Sequence, residues 1–382
     1  MRHRTWLRVP TARSRRSGDL QPKPLQTLVT LTSPSAIDEY SNKARVSMRI
    51  IALARHLMAA LVVGLSAAAA ATDPAVIHAN RVGSRPYTEG FIGTGDDRIH
   101  YVSTGEGPPV ILVHGFPSFW YAWFDQMEAF GACRKMIAID APGAGLSGRP
   151  ASDADYRVAR LAGQLDRTIA ALAPGQKVTL VGHDWGGALA WSYAQWRPKR
   201  LDRLVVFSAP PYDLFLEMLA DDPAQRAASA YVPRLQALNR ESIERLNVPS
   251  TLFETAYGRA ISEGVLTAEE GELFRGALSN PAAIDAGIAW YRANIPPFDA
   301  IDPRSRWPRR ARTITMPVLL IEGSEDKTFA RTLAKRARAK AENLTTAMLE
   351  GVGHWTPFED PQAANALLGA FLGLPGGGCP GS

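Results

Sequence analysis

One acidic side chain framed by small residues carries the most chemical information in this 382-residue chain. Asp184 sits within Val181-Gly182-His183-Asp184-Trp185-Gly186-Gly187, after Lys177-Val178-Thr179-Leu180 and before Ala188-Leu189-Ala190-Trp191. A β-branched run, small residues around one polar group, and then helix-forming sequence describe a strand, a sharp turn and a helix. The small residues remove Cβ atoms that would collide with a strained backbone at the polar position. Such elbows commonly present a serine, and an aspartate changes the reaction. A carboxylate displaces at saturated carbon and leaves an alkyl ester, which water must then hydrolyse. Asp is also a favoured helix N-cap. The glycines on both sides argue instead for an exposed nucleophile.

Such a nucleophile needs a base, an acid to orient that base, and donors for an oxyanion. His354, in Gly351-Val352-Gly353-His354-Trp355, follows the last apolar run and suits the base. Asp326, in Ile321-Glu322-Gly323-Ser324-Glu325-Asp326, lies just beyond a strand and suits the acid, with Glu325 its competitor. The order nucleophile, acid, histidine is that of α/β enzymes with this kind of elbow. Val113-His114-Gly115-Phe116-Pro117 follows another apolar strand, so the backbone N–H groups of Phe116 and Trp185 are the expected oxyanion donors. Asp140-Ala141-Pro142-Gly143-Ala144-Gly145-Leu146-Ser147 is glycine-rich but lacks the Gly-Lys-Ser/Thr ending of a phosphate loop. His183 is expected to be structural, beneath the elbow.

Positioning these groups requires a sheet. Strands are expected at Arg98–Thr104, Val110–Val113, Lys135–Asp140, Lys177–Val181, Arg203–Ser208, Val318–Glu322 and Thr345–Leu349. Several are almost wholly apolar, as in the centre of a parallel sheet covered on both faces. The helical stretches between them imply right-handed crossovers and a doubly wound α/β fold. Residues 212–308 break the alternation with helix-favouring sequence alone, including Asp222–Asn239 and Ala282–Ala293. They read as a helical cap between core segments 73–211 and 309–374, followed by a flexible tail at 375–382.

The formal charge of +6 would suggest an anionic partner if it were evenly spread. Residues 1–47 alone carry nine Arg/Lys and three Asp/Glu, and Arg49 and Arg55 follow, so residues 73–382 have a net charge of −2. Nucleic-acid binding is not expected. Met48-Arg49, the apolar run Leu57–Leu65 and the small-residue end before Thr72 describe a signal peptide over residues 48–72, cleaved near Ala71. That run is half the ~20 residues of a membrane span, so a stable membrane anchor is not expected. Residues 1–47 read as a disordered extension, or as sequence ahead of a true start at Met48. The implied destination is the periplasm or the exterior. Cys133 and Cys379 make no disulfide framework, and no Cys/His cluster has metal-ligand spacing, so no metal or cofactor is expected.

Residues from about Ser84 to Leu374 resemble the α/β-hydrolase superfamily, and in particular its epoxide hydrolase branch. The resemblance rests on His114-Gly115-Phe116-Pro117 with Trp120-Tyr121-Ala122-Trp123, on Gly182-His183-Asp184-Trp185-Gly186-Gly187, and on Trp290-Tyr291-Arg292-Ala293-Asn294. It implies Asp184 as nucleophile, His354 as base, Asp326 as its orienting acid, and two cap tyrosines that hold an epoxide oxygen. Tyr291 matches one tyrosine position. Tyr231, in Ser229-Ala230-Tyr231-Val232, matches the other, although Pro233 and Arg234 depart from the family's aromatic-rich pattern. Trp120 is expected to touch substrate and Trp123 to be core. The expected substrate is a small apolar epoxide, with Leu235, Leu252, Phe253 and Ile288 suggesting an apolar pocket. The alternative is a haloalkane dehalogenase using the same aspartate. That enzyme commonly wants an asparagine where Phe116 stands, and it does not need Tyr291. A fluoroacetate-type dehalogenase would want arginine in place of Trp185.

Overall fold

The computed structural model describes residues 72–302, 304, 307–309, 311–374 and 378–379. The expected signal peptide, apart from its last residue Thr72, and the segment before it lie outside these residues, as does most of the tail. No described helix is long and apolar enough to cross a membrane.

Eight strands form one sheet: β1 (Thr88–Ile92), β2 (Ile99–Thr104), β3 (Pro109–Val113), β4 (Lys135–Ile139), β5 (Val178–His183), β6 (Leu201–Phe207), β7 (Val318–Gly323) and β8 (Leu344–Leu349). Their spatial order is β1-β2-β4-β3-β5-β6-β7-β8. β1 with β2 and β2 with β4 pair antiparallel, and all the other pairs are parallel. Every residue of β3 and β5 is buried. Their continuous apolar sequence is what a strand covered by helices on both faces requires. On one such covering helix, Val158–Leu172, Leu161, Leu165, Ile169 and Leu172 recur at helical spacing and are all buried.

The strand order reverses direction between β3 and β5, whose C-terminal ends lie side by side there, with that of β7 two strands further along. In open α/β sheets this crevice is where ligands bind. Among the described residues, the chain between β6 and β7 forms no strand. Its helices are Tyr212–Asp221, Pro223–Ala228, Val232–Gln236, Arg240–Arg245, Val248–Ser262, Ala268–Leu278 and Pro281–Asn294.

Cys133 and Cys379 form a disulfide across 246 residues of sequence, with Cα atoms 5.7 Å apart. Two cysteines are too few for a disulfide framework, yet this single bond forms, and it ties down at Cys379 the tail that was expected to be flexible. Cys133 follows the helix Phe124–Phe130, and that helix packs against the last helix, Pro361–Phe371. Packing therefore brings together two thiols that the sequence keeps far apart, and Cys379 ends up buried.

Candidate active site

The elbow forms at the end of β5. Asp184 has φ 51° and ψ −124°, the left-handed side of backbone space that a residue with a Cβ reaches only under strain, costing on the order of 1–3 kcal/mol. Two glycines make this geometry possible. A Cβ on Gly186 would stand 2.2 Å from the Val113 carbonyl oxygen, so the helix Trp185–Trp196 could not start so close to β3. A Cβ on Gly115 would stand 2.3 Å from Asp184 Oδ1, in the space that the carboxylate fills.

Two oxygens of one carboxylate meet different partners. Asp184 Oδ1 accepts the Phe116 N–H at 2.8 Å, and Oδ2 lies 3.5 Å from His354 Nε2. On its other side, His354 Nδ1 lies 2.9 Å from Asp326 Oδ2. Asp326 Oδ1 accepts the Thr328 N–H at 2.7 Å, which orients the carboxylate. Glu325, the rival acid, turns outward to Arg259 at 2.9 Å. Trp185 is the first residue of its helix, where N–H groups have no intrahelical acceptor and can receive an incoming oxygen.

The charges follow this arrangement. Burial raises the Asp184 pKa, but the hydrogen bond and charge of His354 outweigh it and hold the carboxyl below its ordinary range. Burial likewise opposes and His354 overrides at Asp326, which is also held low. Burial alone would lower the His354 pKa. The Asp326 charge, followed by hydrogen bonds to Asp184 and Asp326, pushes it up to about 10.

The loop carrying Phe116 is fixed from below. Ala141 N–H donates to His114 Nε2 at 2.9 Å, so the His114 proton resides on Nδ1 and donates to the Gly115 carbonyl at 2.7 Å. Burial lowers the pKa of His114 and keeps it neutral, which preserves that tautomer. The sequence motif contained this histidine without revealing its role.

A cavity of about 730 Å³ opens over Asp184 and His354, and Tyr231 and Tyr291 share its wall. The Tyr291 ring stands edge-on to Trp185 at 5.1 Å, to Phe116 at 5.9 Å and to Tyr231 at 6.2 Å between centroids. Burial first, then the charges of Tyr231 and Asp184, hold the Tyr291 pKa well above its ordinary value. Burial and the Asp184 charge do the same for Tyr231. Both phenols therefore keep their protons.

The residues around Tyr291 fasten it to the core. Trp290 Nε1 donates to the Pro142 carbonyl at 3.1 Å, and Arg292 Nε donates to Asp153 at 2.8 Å. Asn294 donates to the Tyr156 carbonyl and accepts the Val158 N–H, both at 2.8 Å. Tyr231 begins the short helix Val232–Gln236, and Gln236 Nε2 donates to the Tyr291 carbonyl at 2.9 Å. That bond couples the two tyrosine segments.

The expectation for Trp120 is corrected. Its ring is fully buried and is no part of the cavity wall. Its indole N–H donates to Asp73 Oδ2 at 2.8 Å, and its backbone N–H to Asp140 Oδ1 at 2.9 Å. Two buried carboxylates need donors, and this turn faces them instead of the cavity. Leu235 and Leu252 line the cavity as expected, joined by Leu238, while Phe253 and Ile288 pack into the core beneath it. Tyr257 turns its hydroxyl to the Pro117 carbonyl at 2.6 Å.

The alpha/beta hydrolase fold family matches residues 108–361, and the chain belongs to that family. A mouse protein named epoxide hydrolase 4 is 32% identical over 317 residues, covering 80% of this chain and 84% of its own. An AB hydrolase superfamily protein of Bacillus subtilis is 30% identical over 286 residues, covering 74% and 96%. A solved Bacillus megaterium epoxide hydrolase, in complex with an inhibitor, superposes with a TM-score of 0.68 at 25% identity, covering 74% of this chain and 100% of that one. Within the family the chain falls in the epoxide hydrolase branch, and it is a hydrolase of that kind.

Proposed function

We propose that this hydrolase converts an apolar epoxide to a vicinal diol through a covalent ester on Asp184. The observation that carries the reading is the cavity wall, where two protonated phenols, Tyr231 and Tyr291, share one space with the Asp184 carboxylate. Asp184 Oδ2 attacks an oxirane carbon and the C–O bond breaks. The departing oxygen takes a proton from a tyrosine, so that no free alkoxide forms. Asp184 Oδ1, held by the Phe116 N–H, becomes the ester carbonyl oxygen.

Asp326 and Asp184 together hold up the His354 pKa, and alkylation removes the Asp184 charge, so the imidazole releases its proton to restore the tyrosine hydroxyl and is then free to act as a base. It takes a proton from water, which attacks the ester carbon. Asp326 stabilises the resulting imidazolium, and the Phe116 and Trp185 N–H groups receive the oxyanion. The acyl-carbon–Oδ2 bond then breaks, the diol leaves with the proton from His354, and the carboxylic acid left on Asp184 passes its proton to His354, which restores the resting pair. A halide departs without a proton and would leave both phenols idle. Phe116 offers only its backbone N–H where a dehalogenase commonly uses an asparagine side chain.

We further propose that the enzyme works outside the cytoplasm. The signal-like sequence before Thr72 supports this, and so does the Cys133–Cys379 bond, since disulfides persist in oxidising compartments. N-terminal sequencing of protein recovered outside the cytoplasm should begin within a few residues of Thr72.

The test of the chemistry is intact-mass spectrometry of His354→Gln after brief exposure to styrene oxide. The variant should gain the mass of one epoxide and keep it. Normal turnover would remove His354 from the mechanism, and absence of any adduct would remove Asp184.

A further inference from the structure

The cavity is apolar through Leu235, Leu238 and Leu252, but its exposed rim is not. Arg234 and Lys327 both line it and both are exposed. Arg234 lies three residues beyond Tyr231, and Lys327 directly follows Asp326. The other charged groups of this wall have partners of their own. Arg259 is held by Glu325 and Glu263, each at 2.9 Å. Glu359 accepts the N–H groups of Gly353 at 2.7 Å and of Trp355 at 3.0 Å. Asp184 faces His354. Among the described residues, the side chains of Arg234 and Lys327 have neither an ion pair nor a hydrogen bond, and so stand as two unpaired cations.

We infer that Arg234 and Lys327 form an anion-recognising rim that selects epoxides carrying a carboxylate at the end remote from the oxirane. The inference rests on the proposed epoxide chemistry and adds a substrate class to it. A volume of about 730 Å³ admits a drug-sized ligand with an extended body. A molecule with a carboxylate at one end has two possible orientations in this space. With the carboxylate inward it meets the Asp184 charge across a low-dielectric pocket, and repulsion forbids that orientation. With the carboxylate outward it meets Arg234 and Lys327, and the oxirane falls between Asp184 and the two tyrosines. The cations thus set orientation as well as affinity. Because they are exposed, their contribution is screened by salt.

The probe pair is the glycidyl ether of para-hydroxybenzoic acid and its methyl ester, which share the oxirane and the ring and differ only in charge. Wild type should prefer the acid in kcat/KM, and the preference should shrink as salt is raised. Arg234→Gln and Lys327→Gln should each lower the acid-to-ester ratio by roughly two- to fivefold, as expected for one exposed ion pair. Arg234→Glu should lower it further, with the loss appearing in KM more than in kcat. A wild-type ratio at or below one, or a ratio unmoved in all three variants, overturns the rim. Absence of diol from both probes in wild type overturns the epoxide reading instead.

Discussion

His183 donates from Nε2 to the main-chain carbonyl of His354 over 2.9 Å, so the residue preceding the proposed nucleophile holds the backbone of the proposed base. Burial first, and then the His354 charge, press the His183 pKa down to about 4. The ring therefore stays neutral at physiological pH and keeps the proton that this bond requires.

His183→Ala should free the His354 backbone while leaving Asp184 and the Phe116 N–H untouched. Losing one buried hydrogen bond costs about 1 kcal/mol, so ester hydrolysis should slow by roughly fivefold to tenfold. Alkylation should slow less. Single-turnover measurement of ester formation and decay separates the steps, and equal slowing of both would contradict a positioning role.

Tyr231→Phe and Tyr291→Phe retain ring and packing and delete only the donors. The double variant should alkylate roughly 10²–10⁴-fold more slowly, the usual cost of losing a general acid. Each single variant should lose less, since the partner hydroxyl remains. An undiminished alkylation rate in the double variant would take both residues out of the chemistry.

Gly115→Ala would bring its Cβ to 2.3 Å from Asp184 Oδ1 if nothing moved. The carboxylate or the Phe116 loop must shift, and displacement near 1 Å can cost about 10²-fold in rate. The adduct yield in a brief exposure should fall accordingly, and the thermal midpoint should drop. Wild-type alkylation would show that the loop relaxes freely.

His354 titrates at about 10 in the resting fold against 6.5 ordinarily. A raised pKa means that charge pairing stabilises the fold fully below the ordinary value and that this stability is lost as pH rises through about 10. Thermal midpoints of wild type should fall over that alkaline window more than those of His354→Gln. Parallel curves would mean that the imidazolium is not paired in the resting enzyme.

Cys133→Ser should cost about 2–4 kcal/mol, typical of a native disulfide. Its signature is a denaturant midpoint that no longer responds to reductant, with alkylation of the enzyme retained. A wild-type midpoint indifferent to reductant would contradict the bond.

The elbow, the places of His354 and Asp326 beside it and seven of the eight strands were legible because each depends on local pattern: an apolar run followed by small or turn-forming residues. β1 escaped because Thr88–Ile92 is a short edge strand with no buried face and a glycine at its centre. Tyr231 was ambiguous for a different reason. Its position over Asp184 is set by how the cap helices pack, which flanking residues such as Pro233 do not encode. Trp120 misled because its neighbours resemble a cavity lip, while its ring follows Asp73, 47 residues away. The disulfide depends on contact between helices far apart in the chain.

The fastening of Trp290, Arg292 and Asn294 to the core has an evolutionary corollary. Tyr291, the proposed donor so fastened, and Asp184, the proposed nucleophile, ride on one frame, and their spacing is inherited with the fold. Leu235 and Leu252, by contrast, sit on other helices, and Leu238 on the connection after the first of them, and all three wall the same cavity. Exchange of these leucines can therefore reshape what the enzyme accepts while the distance over which it reacts is conserved. New substrates are reached by recarving one wall, with the opposite wall serving as a fixed anvil.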